Sequence, residues 1–584
     1  MRILLRLAVF TQKYWARLLI AFICLLMTTA FSLVVPWVLR EAIDTVMGQG
    51  ERSFLILAAT AVVAASALRG IFAYGHNYLS EVASQKTAYD IRNALYDQLQ
   101  RLSFAYHDKT QTGQLMSRAT ADVEAVRMLI SRGLLGLVQT LILFFAVFYI
   151  LVSMDWRLAL FTLAFLPAIS ARAIHVSRRL RPVWLKIQQL FGVLGTILEE
   201  NLTGIRVVKA FSRQNEESQK FYNQAKLLYD EEIYTDRQTA FNQPLMVFLI
   251  TLPTALILWY GGGQVIAGNL TIGGLTQFIF YMGIMAMPVR RLGFVTFLIA
   301  RSIPAGQRIL EILDAESPVQ EKPNAIKLNS IKGEVCFENV SFNYDSVAPV
   351  LKNVNFCAQP GKLVALVGSS GSGKSTIANL IPRFYDTSNG SITIDGIDIR
   401  DVALDSLRKN VGIVQQDVFL FSATIRDNIA YGAVNADREQ IVAAAKAAHL
   451  HDFIESLPDG YDTWVGERGI TLSGGEKQRL ALARTLLINP KILIMDDSTS
   501  SVDAETEHLI RHALSILIKG RTTFIITHRL PIIRNADLIL VLKDGEIVER
   551  GKHNDLMTIN GLYRQIYESQ LSATRESGEN HIKE

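Results

Sequence analysis

Three glycines, a lysine and neighbouring hydroxyls are compressed into nine residues at Gly368-Ser369-Ser370-Gly371-Ser372-Gly373-Lys374-Ser375-Thr376. The apolar run Leu363-Val364-Ala365-Leu366-Val367 leads straight into them and reads as a buried strand. Together they satisfy G-x-x-x-x-G-K-[ST] in the strand–loop–helix context that gives this pattern its meaning. Glycines let backbone N–H groups converge on phosphate oxygens, and the positive end of the following helix adds to that field. Lys374 is placed to reach β- and γ-phosphates, and the Ser375 hydroxyl to ligand Mg2+. A second apolar run, Ile492-Leu493-Ile494-Met495, ends in Asp496-Asp497. One carboxylate at such a strand end can hold a Mg2+ shell, and the next can orient an attacking water. Between the two motifs, Leu472-Ser473-Gly474-Gly475-Glu476 opens an apolar helix, offering helix-start N–H groups as a second phosphate-binding surface.

The elements that carry these residues are short β-rich runs, turns and amphipathic helices, and they begin only after Pro318. What precedes them is different. Half of the 584 residues are hydrophobic and 19% are charged, against roughly 25% charged in soluble domains, which argues against a soluble enzyme or a disordered scaffold. Residues 18–39 carry no charge over 22 positions, enough to cross about 30 Å of hydrocarbon as a helix. Further spans read at about 54–78, 133–154 and 158–176. Residues 238–289 then run for 52 positions without a charge, interrupted by Gly261-Gly262-Gly263 and Gly268-Asn269, and read as a hairpin of two spans near 239–265 and 272–300. Six crossings result.

Charge divides along the same line. Residues 1–325 hold 31 Lys/Arg and 22 Asp/Glu, whereas residues 326–584 hold 28 and 32. A nucleic-acid binder would not split this way, so no nucleic-acid partner is expected. The basic surplus lies in the termini and in two long connections, about 80–132 and 177–238, patterned at helical spacing. By the positive-inside rule both termini, both connections and the second domain face the cytoplasm of a multi-pass protein of the cell membrane. Arg69, Arg172, Arg290 and Arg291 fall within or beside apolar spans, toward the inner leaflet. Either they snorkel to headgroups or they line a basic cavity for an amphiphile with an anionic end. Cys24, Cys336 and Cys357 show no C-x-x-C spacing, so a reduced domain without a structural disulfide or zinc site is expected.

With Leu472-Ser473-Gly474-Gly475-Glu476 lying between the P-loop and Asp496, the chain resembles the ATP-binding cassette transporters, and the stretch resembles their signature motif, which acts on the partner's nucleotide. The resemblance covers nearly the whole chain, as in exporter half-transporters. It implies an all-α six-helix transmembrane domain with long cytoplasmic helical extensions (1–318), a linker (319–332), an α/β P-loop ATPase domain (333–570) and a polar tail (571–584). It also implies roles position by position. Tyr344 resembles the aromatic that stacks on adenine, and Gln416 the glutamine that senses Mg2+. Glu467, in Thr463-Trp464-Val465-Gly466-Glu467-Arg468-Gly469, resembles the loop that couples to the membrane domain. Asp503 resembles the segment crossing between cassettes, and His528 the switch histidine at the γ-phosphate. Phe104-Ala105-Tyr106-His107-Asp108 resembles the first coupling-helix region.

One position departs from the family pattern: the hydrolytic residue after the Walker B aspartate is glutamate there and Asp497 here. The side chain is shorter by one methylene, and misplacement near 1 Å can cost on the order of 10²-fold. A slow Walker site on this subunit is therefore expected, with a second half-transporter as partner: a heterodimer in the first reading, a homodimer in the second. The function that follows is ATP-driven export or flipping of an amphiphilic or hydrophobic cargo, a drug, lipid or peptide, through the bilayer. The competing reading is a nucleotide-gated channel or regulator. Both use ATP and Mg2+.

Overall fold

The computed structural model describes residues 2–49, 53–344, 349–433, 435–466, 469, 471–497, 504–527, 529–569 and 571, with backbone only at 2, 4, 5, 48, 49, 53, 166, 250, 286–293, 497, 504 and 505. Its contacts divide it into two units: one formed by 1–100 and 113–314, the other by 101–112 and 315–584.

The first unit is helical. Among the described residues, five helices are long and apolar enough to cross a membrane: Trp15–Met47, Phe54–Arg101, Thr112–Met154, Trp156–Thr203 and Gln214–Ile266. A sixth helix, Ile272–Leu313, begins with the apolar stretch Ile272–Met285. The helix Ser53–Arg101 has 49 residues, more than twice what about 30 Å of hydrocarbon requires at roughly 1.5 Å per residue. Large apolar side chains such as Leu57, Val63, Phe145, Tyr149 and Trp259 are exposed, as lipid-facing positions are when the solvent is hydrocarbon. Inside, Val147, Leu151, Leu158, Ile257, Phe278, Tyr281 and Met285 pack together. The Tyr281 hydroxyl donates to the Leu33 carbonyl at 2.7 Å, so burial leaves its polar end satisfied.

Two of the helix starts carry side-chain caps. Asp155 caps the helix Trp156–Leu163 by accepting from the N–H groups of Arg157 and Leu158. Thr271 caps Ile272–Leu313 and also donates to Asp44 at 2.7 Å. The triple glycine, by contrast, does not interrupt its helix. Ile257–Gly261 is a wider π-type turn that continues into Gly262–Ile266, and a Cβ on Gly261 would stand 2.6 Å from Leu275 Cδ1. That glycine permits close approach of the next helix. Beyond the apolar stretches, ion pairs replace lipid as the organising contact: Arg308 grips the buried Asp122 at 2.7 Å, and Arg127 bridges Glu124 and Glu81.

The second unit is α/β. Its strands are β1 (Val335–Phe342), β2 (Leu351–Ala358), β3 (Leu363–Gly368), β4 (Asn389–Ile394), β5 (Ile397–Asp398), β6 (Val411–Val414), β7 (Ala423–Thr424), β8 (Trp464–Val465), β9 (Ile492–Asp497), β10 (Thr522–Thr527), β11 (Leu538–Lys543) and β12 (Glu546–Gly551). The main sheet has the order β12-β11-β3-β10-β9-β6, parallel except for β12. β3 and β10 are buried at nearly every position, the pattern of parallel strands covered on both faces. An antiparallel sheet, β2-β1-β4-β5, packs through Phe337, Val340, Val354 and Phe356 onto the same core. The short helix Phe104–Lys109 belongs here by contact. Phe104 stacks on Phe384 with centroids 4.1 Å apart, Ala105 touches the core, and the Tyr385 hydroxyl donates to Asp108.

The cysteines correct an expectation. Cys336 and Cys357 form a disulfide, because the β1–β2 register sets them directly opposite each other. Motif spacing along the chain does not detect a pair that only strand register creates.

Candidate functional site

Parallel strands place their C-terminal ends on one edge of a sheet, where open α/β sheets bind ligands. β3 ends there in Gly368, β9 in Asp496-Asp497, β10 in Thr527 and β6 two residues before Gln416. The backbone pairs Ile526 with Asp496 and Thr527 with Asp497, and Val414 with Met495. The P-loop, positions 496 and 497 and Gln416 therefore share an edge. Glu467, Asp503 and His528 lie outside the described residues, as does the Asp497 side chain.

The P-loop is built by exclusion of side chains. A Cβ on Gly368 would fall 2.3 Å from the Leu542 carbonyl oxygen and 2.8 Å from Ser372 Oγ. Gly373 has φ +103°, and its Cβ would meet Leu351 Cδ2 at 2.6 Å. The helix Lys374–Leu380 follows at once. Lys374 is buried, and its Nζ donates to the carbonyls of Gly368 and Ser369 at 3.1 and 2.7 Å. Burial pushes its ammonium below the usual lysine range, and the charge of Asp496 opposes that shift. Ser372 Oγ is buried with no hydrogen-bond partner among the described residues. A desolvated cation and an unsatisfied hydroxyl in a loop of small residues are features that a phosphate satisfies.

Tyr344 sits beside this loop. Its hydroxyl is 3.2 Å from Thr376 Oγ1, and its ring makes edge contacts with Phe342 and Tyr385. It remains 42% exposed, so ring surface is open to a stacking partner. The hard-oxygen donors read from sequence for Mg2+, namely Ser375, Gln416 and Asp496, are of the kind this ion takes together with substrate phosphates.

Ser473 caps the helix Gly474–Ile488 in a reciprocal box: its hydroxyl accepts from the N–H of Glu476 at 3.4 Å, and the Glu476 carboxylate accepts from the N–H of Ser473 at 2.7 Å. Glu476 is therefore committed to the cap. The N–H groups of Gly474 and Gly475 have no carbonyl within the helix to bond. Leu472 packs against a core formed by Ala365, Val367, Leu480 and Leu493.

In the helical unit, Arg69 lines a cavity of about 520 Å3 together with His76, Asn77, Arg132, Gln139 and Thr28. Arg132 and His76 are not among the sequence candidates, since no periodicity shows that three helices turn these residues to one space. Arg172 is elsewhere. It donates to the Asn242 side-chain oxygen at 2.5 Å, between the helices Phe165–Thr203 and Gln214–Leu256. The side chains of Arg290 and Arg291 lie outside the described residues.

Comparison with known proteins adds the following. The family model described as ABC transporter transmembrane region matches residues 18–289, and that described as ABC transporter matches residues 351–500. The chain is 39% identical over 578 residues to the ABC transporter ATP-binding protein YknU of Bacillus subtilis (strain 168), covering 99% of each. It is 38% identical over 571 residues to the ATP-dependent lipid A-core flippase of Syntrophus aciditrophicus (strain SB), covering 98% of this chain and 95% of that one. Among solved structures, a bacterial Atm1-family ABC exporter with ATP bound superposes with a TM-score of 0.79 at 32% identity, covering 95% of this chain and 99% of the other.

Proposed function

Because the chain belongs to the ATP-binding cassette transporters, as an exporter that joins a helical membrane region to its own ATPase and works as a dimer, we propose that its cargo is an amphiphile with an anionic end. The observation that carries this reading is the cavity where Arg69 and Arg132 stand with an imidazole and two amides among apolar helices. Cations in such a setting are costly unless they serve a ligand or reach water. Relatives named as lipid A-core flippases support an amphiphile of this class.

ATP is held by Tyr344 on the base, by the 368–376 loop and Lys374 on the phosphates, and by Ser473 and Gly474 of the other subunit. Ser375, Gln416 and Asp496 would hold Mg2+, which would neutralise charge on the phosphates. Asp497 positions the water, and His528 contacts the γ-phosphate. ATP binds most tightly to the closed pair of cassettes, and that difference in affinity shifts the membrane cavity between its two openings. The cassettes lie in the cytoplasm, where the basic loop ends retain them.

The test is reconstitution in proteoliposomes with an anionic and a zwitterionic amphiphile of equal chain length. The anionic one is expected to stimulate ATP turnover and to be translocated, and the paired substitution Arg69→Gln/Arg132→Gln to reduce its apparent affinity about tenfold or more, a loss of roughly 1.4 kcal/mol or above, without changing basal turnover. Equal handling of both amphiphiles by the intact protein would refute the anionic reading. Ion conductance gated by ATP, without translocation, would establish the channel reading that a slow Asp497 site favours.

A further inference from the structure

Two alternating patterns meet on the antiparallel sheet of the second unit. Along β1, Val335 and Phe337 point into the core, and along β2 Phe356 and Ala358 do the same. Cys336 and Cys357, between them, therefore face away from the core, Cys336 half-buried and Cys357 exposed. Glu334, one residue before β1, is half-buried beside them, and the Gln359 side-chain amide donates to its carboxylate at 2.9 Å. One donor atom from each of Glu334, Cys336 and Cys357 lies within 4.8 Å of the others. Donors at about 2.0–2.3 Å from a shared ion stand at most roughly 4 Å apart in a tetrahedral shell, so once reduction lets the two sulfurs separate to that spacing, a carboxylate shift of about 1 Å brings all three to one cation.

We propose that Cys336, Cys357 and Glu334 form a solvent-facing site for a soft d10 divalent cation of the zinc class, with water in the fourth position. Two thiolates and a carboxylate suit such an ion and disfavour Mg2+ or Ca2+. The Cys336–Cys357 disulfide is the closed, oxidised form of this site. Two external thiols open it: they transfer two electrons and two protons to the bond and leave as an external disulfide, giving the two cysteine thiols. The cation then displaces both thiol protons, which go to the buffer. The residues between the cysteines include Tyr344 beside the P-loop and Leu351, against which Gly373 packs. The site thus closes the base of the hairpin that borders the nucleotide.

The test uses the full-length chain in detergent micelles, reduced, freed of reductant and titrated with cadmium chloride. Thiolate-to-cadmium charge-transfer absorption is expected to saturate at one ion per chain with release of two protons, to be competed by zinc chloride, and to vanish after oxidation with oxidised glutathione. Cys336→Ser and Cys357→Ser are each expected to abolish the signal, Glu334→Gln to weaken binding about tenfold or more, and Cys24→Ser to leave it intact. Glu334→Gln retains both sulfurs on an exposed face, so its reading stands even if a serine variant folds poorly. The proposal is overturned by absence of the band in the reduced protein, by a band that follows Cys24 or survives either serine substitution, or by unchanged affinity in Glu334→Gln. None of these readings depends on transport or ATP turnover, so their failure is separate from that of the anionic-cargo reading.

Discussion

A carboxylate that positions water acts over tenths of an ångström, and at 497 the length of that side chain is set against a fixed backbone, the Cα pairing of Asp497 with Thr527 across β9 and β10. Aspartate falls one methylene short of the glutamate found in the family pattern. Since misplacement near 1 Å can cost on the order of 10²-fold, Asp497→Glu is expected to raise ATP turnover of the purified chain tenfold or more without changing nucleotide affinity. The measurement is steady-state phosphate release beside a nucleotide-binding titration. Fast wild-type turnover that the substitution leaves unchanged would remove the slow-site reading. Lys374 belongs to the same scale: its Nζ is folded onto the carbonyls of Gly368 and Ser369, a desolvated charge whose better partner is phosphate.

At the scale of elements, the two best-defined contacts differ in how visible they are along the chain. The start of Gly474–Ile488 is legible in the sequence, and the structure adds that Ser473 and Glu476, within one turn of each other, cap it. The seat of the helix Phe104–Lys109 is not legible. Its partners Phe384 and Tyr385 lie some 277 residues further on, and no local period reports so distant a contact. The disulfide falls between these cases: Cys336 and Cys357 each sit in a strand with a clear alternation, yet only the register of β1 on β2 makes them neighbours. The Phe104–Phe384 stack, with centroids 4.1 Å apart, is of a type contributing about 0.5–1.5 kcal/mol beyond burial. Phe104→Ala is accordingly expected to lower cargo transport several-fold while basal ATP turnover persists, measured together in proteoliposomes. An equal fall in both would mean that the helix supports the ATPase fold rather than the connection between the two activities.

For the whole molecule, a charge average near neutrality conceals a basic helical unit and an acidic α/β unit, and each carries a candidate site. The cavity at Arg69 and Arg132 lies in the helical unit, and Lys374 and the 368–376 loop lie at the strand-end edge of the α/β unit. Ser473 stands at a separate helix start, with N–H groups that the capping box does not use. If that surface completes the site of a second copy, the two functions can be parted between chains. A copy carrying Asp497→Glu with Ser473→Arg should be inactive as a homodimer, since its competent Walker edge meets only defective signatures. Mixed with a differently tagged copy that retains Asp497 and Ser473, and purified through both tags, it should regain turnover well above that of the wild-type homodimer. Recovery requires the glutamate of one chain and the serine of the other in one site. If the doubly tagged dimer stays as slow as the wild type while Asp497→Glu alone is fast, the signature acts on its own chain's nucleotide, and the in-trans assignment of Ser473 fails.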